Sequence, residues 1–204
     1  GTLLVVDATA AHHSAAFGHA DGARRLPLDL ALEFQTAHEA VAPRVVELTA
    51  EHHTAALAHA LPDGSLPLHL ALRYQTEHEA VALRVVELTT QHHPIAFSRA
   101  RSYRGLPIHT ALRCVAEQPV VLRVVELTAR HHAAGFGHAP ARGPLPAHLA
   151  LRYHTANTAL VRRVVELTLV HHAAAFRDAN LRAAVREAGL GALLEADGPP
   201  EHTL

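Results

Sequence analysis

Apolar residues recur along this chain in two alternating registers. In residues 66–74, LPLHLALRY, the apolar side chains of Leu68, Ala71 and Leu72 fall at i, i+3 and i+4, one face of a helix. Pro67 opens that stretch, at the position where a missing N–H has no helical partner to lose. A second stretch, VALRVVELTTQHH, puts Val81, Val85 and Leu88 on one face, and Val86 broadens it. This predicts a second helix ending at the histidine pair, because Pro94 follows one copy and disfavours a helical residue before it. The turn between the two helices is expected near Gln75 and Thr76, and Pro43 and Pro119 blur where the second helix starts in two copies.

Both registers repeat. Val5, Val45, Val85, Val124 and Val164 are separated by 40, 40, 39 and 40 residues, and the doublets beginning at His12, His52, His92, His131 and His171 keep the same spacing. A Leu-Pro ladder at Leu26, Leu66, Leu106 and Leu145 runs at 40, 40 and 39, so one residue is missing between Leu106 and Val124, in the turn inside one unit. Two short helices cannot bury an apolar face alone, so the copies must stack. The expected fold is all-α: an α-solenoid of about four and a half helix-turn-helix units. The array should cover 1–177, with a half repeat at 1–25 and units starting near 26, 66, 106 and 145. Residues 178–204 break the period. There Leu181, Ala184, Val185 and Ala188 predict a capping helix with Asn180 as its N-cap, followed by a flexible tail, DGPPEHTL.

The motifs GSLPLHLAL and GLPIHTAL, each followed by VVEL, resemble the ankyrin-repeat pattern G-x-TPLH-x-A…V-V-x-L-L, in a Leu-Pro-Leu-His variant seen in algae and other unicellular eukaryotes. The resemblance covers residues 3–176. It departs from the family in unit length, where ankyrin units have about 33 residues, and in lacking the glycine usual between the two helices. It implies that His69, His109 and His148, with Asp29 in the first full copy, bridge backbone groups of neighbouring loops. It also implies that the end of each first helix faces a concave groove.

Composition narrows the function. The 204 residues are 49% hydrophobic with a formal net charge of −1, enough for a sizeable core. Near-neutral charge with no basic run argues against nucleic acid, whose backbone requires a clustered positive face. No apolar run approaches a bilayer span of about 18 residues, which leaves peripheral association with a membrane complex as the compatible mode. Residues 1–3 carry no secretory signal, and one cysteine, Cys114, excludes an intramolecular disulfide. The expected setting is intracellular, soluble or peripheral: the cytoplasm, or a plastid for an algal linker. The chain opens in mid-repeat, and further sequence is expected before Gly1.

The five histidine doublets raise the question of metal ligation. Neighbours on a helix point in different directions, so His92 and His93 cannot chelate one ion as an i, i+4 pair does. A helix-end role is simpler: histidine can bond the last free carbonyls and face the negative end of the helix, with one member of each pair under the following Phe17, Phe97, Phe136 or Phe176. Arg44, Arg84, Arg123 and Arg163 precede Glu47, Glu87, Glu126 and Glu166 by three positions, which reads as an i, i+3 surface ion pair in every copy. No catalytic residue, metal ligand or cofactor is assigned.

What varies between copies points to binding. After the fixed Ala-Leu of the first helix come EFQ, RYQ, RCV and RYH. Arg73, Tyr74, Arg113, Arg152 and Tyr153 form a candidate aromatic–arginine stripe, a composition enriched at interface hot spots, and the loop RARSYRG adds Arg101, Tyr103 and Arg104. The expected function is a non-catalytic scaffold for other proteins: an adaptor, or a linker holding subunits of a larger assembly. The alternatives are a histidine-rich protein coordinating metal or chlorophyll, and a pH-responsive binding module.

Overall fold

A computed structural model describes residues 2–34, 40–74, 79–101, 105–114, 118–141 and 143–195. The fold is all-α: helices joined by loops, with one isolated bridge between Arg101 and Gly105 among the described residues. The first helices of successive units are α2 (Pro27–Glu33), α4 (Pro67–Tyr74), α6 (Pro107–Cys114) and α8 (Pro146–Tyr153). The second helices are α3 (Val41–His52), α5 (Glu79–His92), α7 (Gln118–His131) and α9 (Thr158–His172), preceded by α1 (Thr2–His13), which occupies the same place in the half unit. The turn expected at Gln75 and Thr76 lies outside the described residues. The intervals at 75–78 and 115–117 differ by one residue between helices of equal length, which places the deletion in the connection.

Every first helix begins on its proline, which has no N–H to leave unpaired. Pro43 and Pro119 fall in the first turn of α3 and α7, where the same reasoning applies. The second helices end because the second histidine of each pair leaves helical geometry. His13, His53, His93, His132 and His172 have φ between −144° and −154° and ψ between 51° and 62°. Each break leads into a five-residue 3₁₀ turn that the sequence pattern does not announce: Ser14–Gly18, Thr54–Ala58, Pro94–Ser98, Ala133–Gly137 and Ala173–Arg177. That turn inserts Phe17, Leu57, Phe97, Phe136 or Phe176 into the core.

Successive units stack in register. Each first helix contacts the next first helix, and each second helix the next second helix, from α1 through α9. Val45, Val85, Val124 and Val164 are buried in this stack, whereas Val5 on α1 is 65% exposed beside Leu4. The other end is covered by α10 (Ala179–Glu187), whose Leu181 and Val185 are fully buried, and by α11 (Ala192–Glu195). The N-cap of α10 is Asp178, not the expected Asn180. Its Oδ1 accepts the N–H groups of Asn180 and Leu181, because the chain leaves the 3₁₀ turn two residues earlier than the apolar spacing suggests. The expected tail, residues 197–204, lies outside the described residues.

Candidate interaction surface

The side chains with the most obvious chemistry are occupied in holding the units together. Phe17 meets the ring of His52, Phe97 that of His131, and Phe136 that of His171, with centroids 6.4, 5.9 and 5.9 Å apart. For these three rings the partner is the first histidine of the following unit, not a member of the preceding doublet as expected; no doublet follows Phe176. The 3₁₀ turn carries the phenylalanine away from its own helix end and into the joint. The second histidine crosses the same joint. A Cβ at Gly18 would lie 2.9 Å from the His53 ring, and one at Gly137 2.6 Å from that of His172. The N–H of His53, His93 and His132 donates to the carbonyl of Thr49, Thr89 and Thr128 at 2.8 Å, closing the last helical turn. The first histidine of each pair keeps an exposed edge, one per unit.

The ion pairs also run between units. Arg84 binds Glu47 of the preceding unit with two hydrogen bonds of 2.6 and 2.9 Å, and Arg163 binds Glu126 at 2.6 and 3.0 Å. Arg44 reaches Asp7 at 2.6 Å. The i, i+3 contacts expected from the spacing are the longer ones, 3.6 Å for Arg84–Glu87 and 3.8 Å for Arg163–Glu166, because the stack brings the preceding carboxylate closer than the helix's own. The arginine hydrogen bonds hold the carboxyls of Glu47 and Glu126 below their ordinary range. Among the described residues Arg123 and Glu87, the equivalent positions in the middle of the array, do not pair across the units, and the ion contact of Glu87 is with Arg84 of its own helix.

The Leu-Pro-Leu-His histidines sit at the third position of the first helices. His69 Nδ1 accepts the N–H of Leu66 at 3.2 Å, the reach-back half of a capping box. Asp29 does the same for Leu26 at 2.9 Å and takes a second bond from His59 Nδ1 at 3.0 Å. His109 Nε2 donates to the carbonyl of His138 in the following loop at 2.9 Å, one contact to a neighbouring loop. Burial lowers the pKa of His69 and of His109 to about 4, so both are neutral near pH 7. Burial raises that of Asp29.

The stack also leaves facing outward a row at the ends of the first helices. Arg73 lies 5.2 Å above the Tyr74 ring, and Arg152 lies 5.3 Å above the Tyr153 ring. Tyr74 and Arg73 are half-buried; Arg113, Arg152 and Tyr153 are exposed. Arg101 is placed differently from this row: it is buried and joins Asp63 of the neighbouring loop at 2.8 Å. Tyr103 and Arg104 lie outside the described residues. A groove of about 410 Å³ gathers Arg73, Tyr74 and Arg101 with Arg25, Glu33 and Asp63. Phe34, 52% exposed, extends the aromatic row into the first unit; its equivalence to Tyr74 and Tyr153 was the signal that could have included it. His154, the variable residue after Tyr153, is buried and bonds the Leu112 carbonyl at 3.1 Å, satisfying an orphan group near the end of α6.

Among the described residues no group of three or more His, Cys, Asp or Glu is arranged to hold a metal ion, and no helix is long and apolar enough to cross a membrane. Comparison with protein-family models, with curated proteins and with solved structures finds no match to the chain.

Proposed function

We propose that the chain is an ankyrin-like α-solenoid serving as a non-catalytic scaffold for other proteins, an adaptor or a structural linker within a larger assembly. The observation that carries this reading is the division of labour among side chains. Doublet histidines, Val-Val-Glu-Leu-Thr residues and the arginines Arg44, Arg84 and Arg163 join unit to unit. The ends of the first helices, which vary between copies, carry exposed aromatic rings and arginines, side chains that anchor interfaces when a partner desolvates them. The short first helices also meet one another more extensively than the longer second helices do, which supports a row curved toward the first-helix side.

The test is cross-linking of the full chain to its partners in cells of its source, with the linked positions mapped. Links concentrated on the first-helix row, and lost in a Tyr74→Ala/Tyr153→Ala double variant of unchanged helicity, are expected. A partner that maps to the second-helix side, or that the variant retains, would contradict the proposal.

A further inference from the structure

Resting on the scaffold reading, we propose that the first-helix row takes an acidic, extended segment of a partner protein, with carboxylates at every third residue meeting Arg73, Arg113 and Arg152. These three arginines hold the same helical position in consecutive units, and the helices that bear them, α4, α6 and α8, pack side by side. Six other arginines, Arg25, Arg44, Arg84, Arg101, Arg162 and Arg163, reach a carboxylate within the chain. Among the described residues Arg73, Arg113 and Arg152 reach none; other arginines such as Arg123 and Arg130 also lack one, but these three share one helical position in consecutive, side-by-side first helices.

The spacing selects the partner's register. Packed helices lie about 8–10 Å apart, and an extended chain advances about 3.3 Å per residue. Three residues per unit match that distance; two fall short and four overshoot. The Tyr74 and Tyr153 rings, 5.2 and 5.3 Å from the guanidinium carbons above them, support two of the arginines from one face. Their N–H edges remain available to a carboxylate in the two-bond geometry that arginine favours. The row also has an end: Glu33 takes the arginine's position in α2 and lies 3.5 Å from Arg25. A fourth carboxylate in register would meet a like charge there, so the segment carries three acids and then a neutral or basic residue.

The experiment titrates the full chain into fluorescently labelled peptides of equal length and charge, three glutamates in a Gly/Ser background at every second, third or fourth residue. An all-glutamine peptide and a single-stranded oligonucleotide complete the set. Anisotropy is read at about 50 and about 200 mM salt, since such contacts are screened. The every-third peptide is expected to bind about tenfold more tightly than the other spacings, and Arg113→Gln or Arg152→Gln to weaken it about threefold to tenfold. Arg123→Gln, an exposed arginine on a second helix, is expected to leave it unchanged.

Equal affinity for all three spacings, an equal loss in Arg123→Gln, or equally tight binding of the oligonucleotide overturns the inference. A chain that binds none of the peptides, while its cross-linked partner still maps to the row, loses this inference and keeps the scaffold reading. If the partner maps elsewhere the scaffold reading fails, and the peptide titration still decides what the row binds.

Discussion

His131 lies on Phe97 of the preceding unit with 22° between the ring planes and 5.9 Å between centroids, so the histidine doublet belongs to the joint between units. Aromatic pairs of this kind contribute about 0.5–1.5 kcal/mol beyond the area they bury. His131→Ala should therefore lower stability by about 1 kcal/mol, while His92→Ala, whose unit follows Leu57 in place of a phenylalanine, should lower it less. Urea unfolding of the two variants compares them directly, and equal losses would show that the ring contact contributes nothing specific.

The inter-unit ion pairs predict a broken ladder. Arg84→Ala and Arg163→Ala each remove a two-bond contact to Glu47 or Glu126, and Arg123→Ala removes none. With these side chains more than a third exposed, the expected cost of the first two is about 0.2–1 kcal/mol, reduced by salt. Because the folded-state pKa of Glu47 and of Glu126 is lowered, this stability is present above the ordinary glutamate pKa and fades as pH falls through the folded-state value. A double-mutant cycle on Arg84 and Glu47, run at low and high salt, measures it; a coupling energy of zero at both would refute the pairing.

His69 and His109 predict acid lability in a different window. Their folded-state pKa of about 4 lies below the ordinary 6.5, so the unfolded chain takes up protons first as pH drops. Their neutral burial contributes stability fully above pH 6.5 that is lost progressively toward pH 4, an order-of-magnitude ceiling of about 3 kcal/mol for each. Glutamine at the third helical position can still reach back to the N-cap N–H. His69→Gln and His109→Gln should therefore flatten the dependence of unfolding midpoint on pH across that window, and a slope identical to that of the parent chain would exclude these two as its source.

Arg24 has φ of 63° at a loop position where the next unit has Gly64 at 79°. A left-handed backbone costs a residue with a Cβ about 1–2 kcal/mol, offset in part by the greater entropy that glycine loses on folding. Arg24→Gly should raise stability by about 0.5–1 kcal/mol, seen as a higher urea midpoint. A lower midpoint would show that the Arg24 side chain contributes more than its strained backbone costs.

The helices and their order were legible in the sequence. Proline fixes a helix start through its missing N–H, and the spacing of Val81, Val85 and Leu88 fixes a buried face; both are local constraints that any neighbour must accept. The repeat period likewise located the missing residue in a connection, since neither helix can lose one without rotating its apolar face. The buried histidines at 69 and 109 were legible by resemblance, although the bond from Leu66 to His69 follows from capping geometry alone.

The partners of the charged and aromatic side chains were not legible, because sequence spacing ranks neighbours within a helix and says nothing of distances between units. Arg84 stands three residues before Glu87 and thirty-seven after Glu47, yet binds Glu47 more closely. Arg101 reads like Arg73 in composition but is turned inward onto Asp63. The 3₁₀ turn after each doublet, which carries Phe97 to His131, depends on the backbone torsions φ and ψ at the second histidine. The sequence alone determined which residues form helices and which faces are apolar, since these follow from local propensity and period. Only the tertiary structure decided which polar groups meet across the joints, because the stacking of units sets those distances.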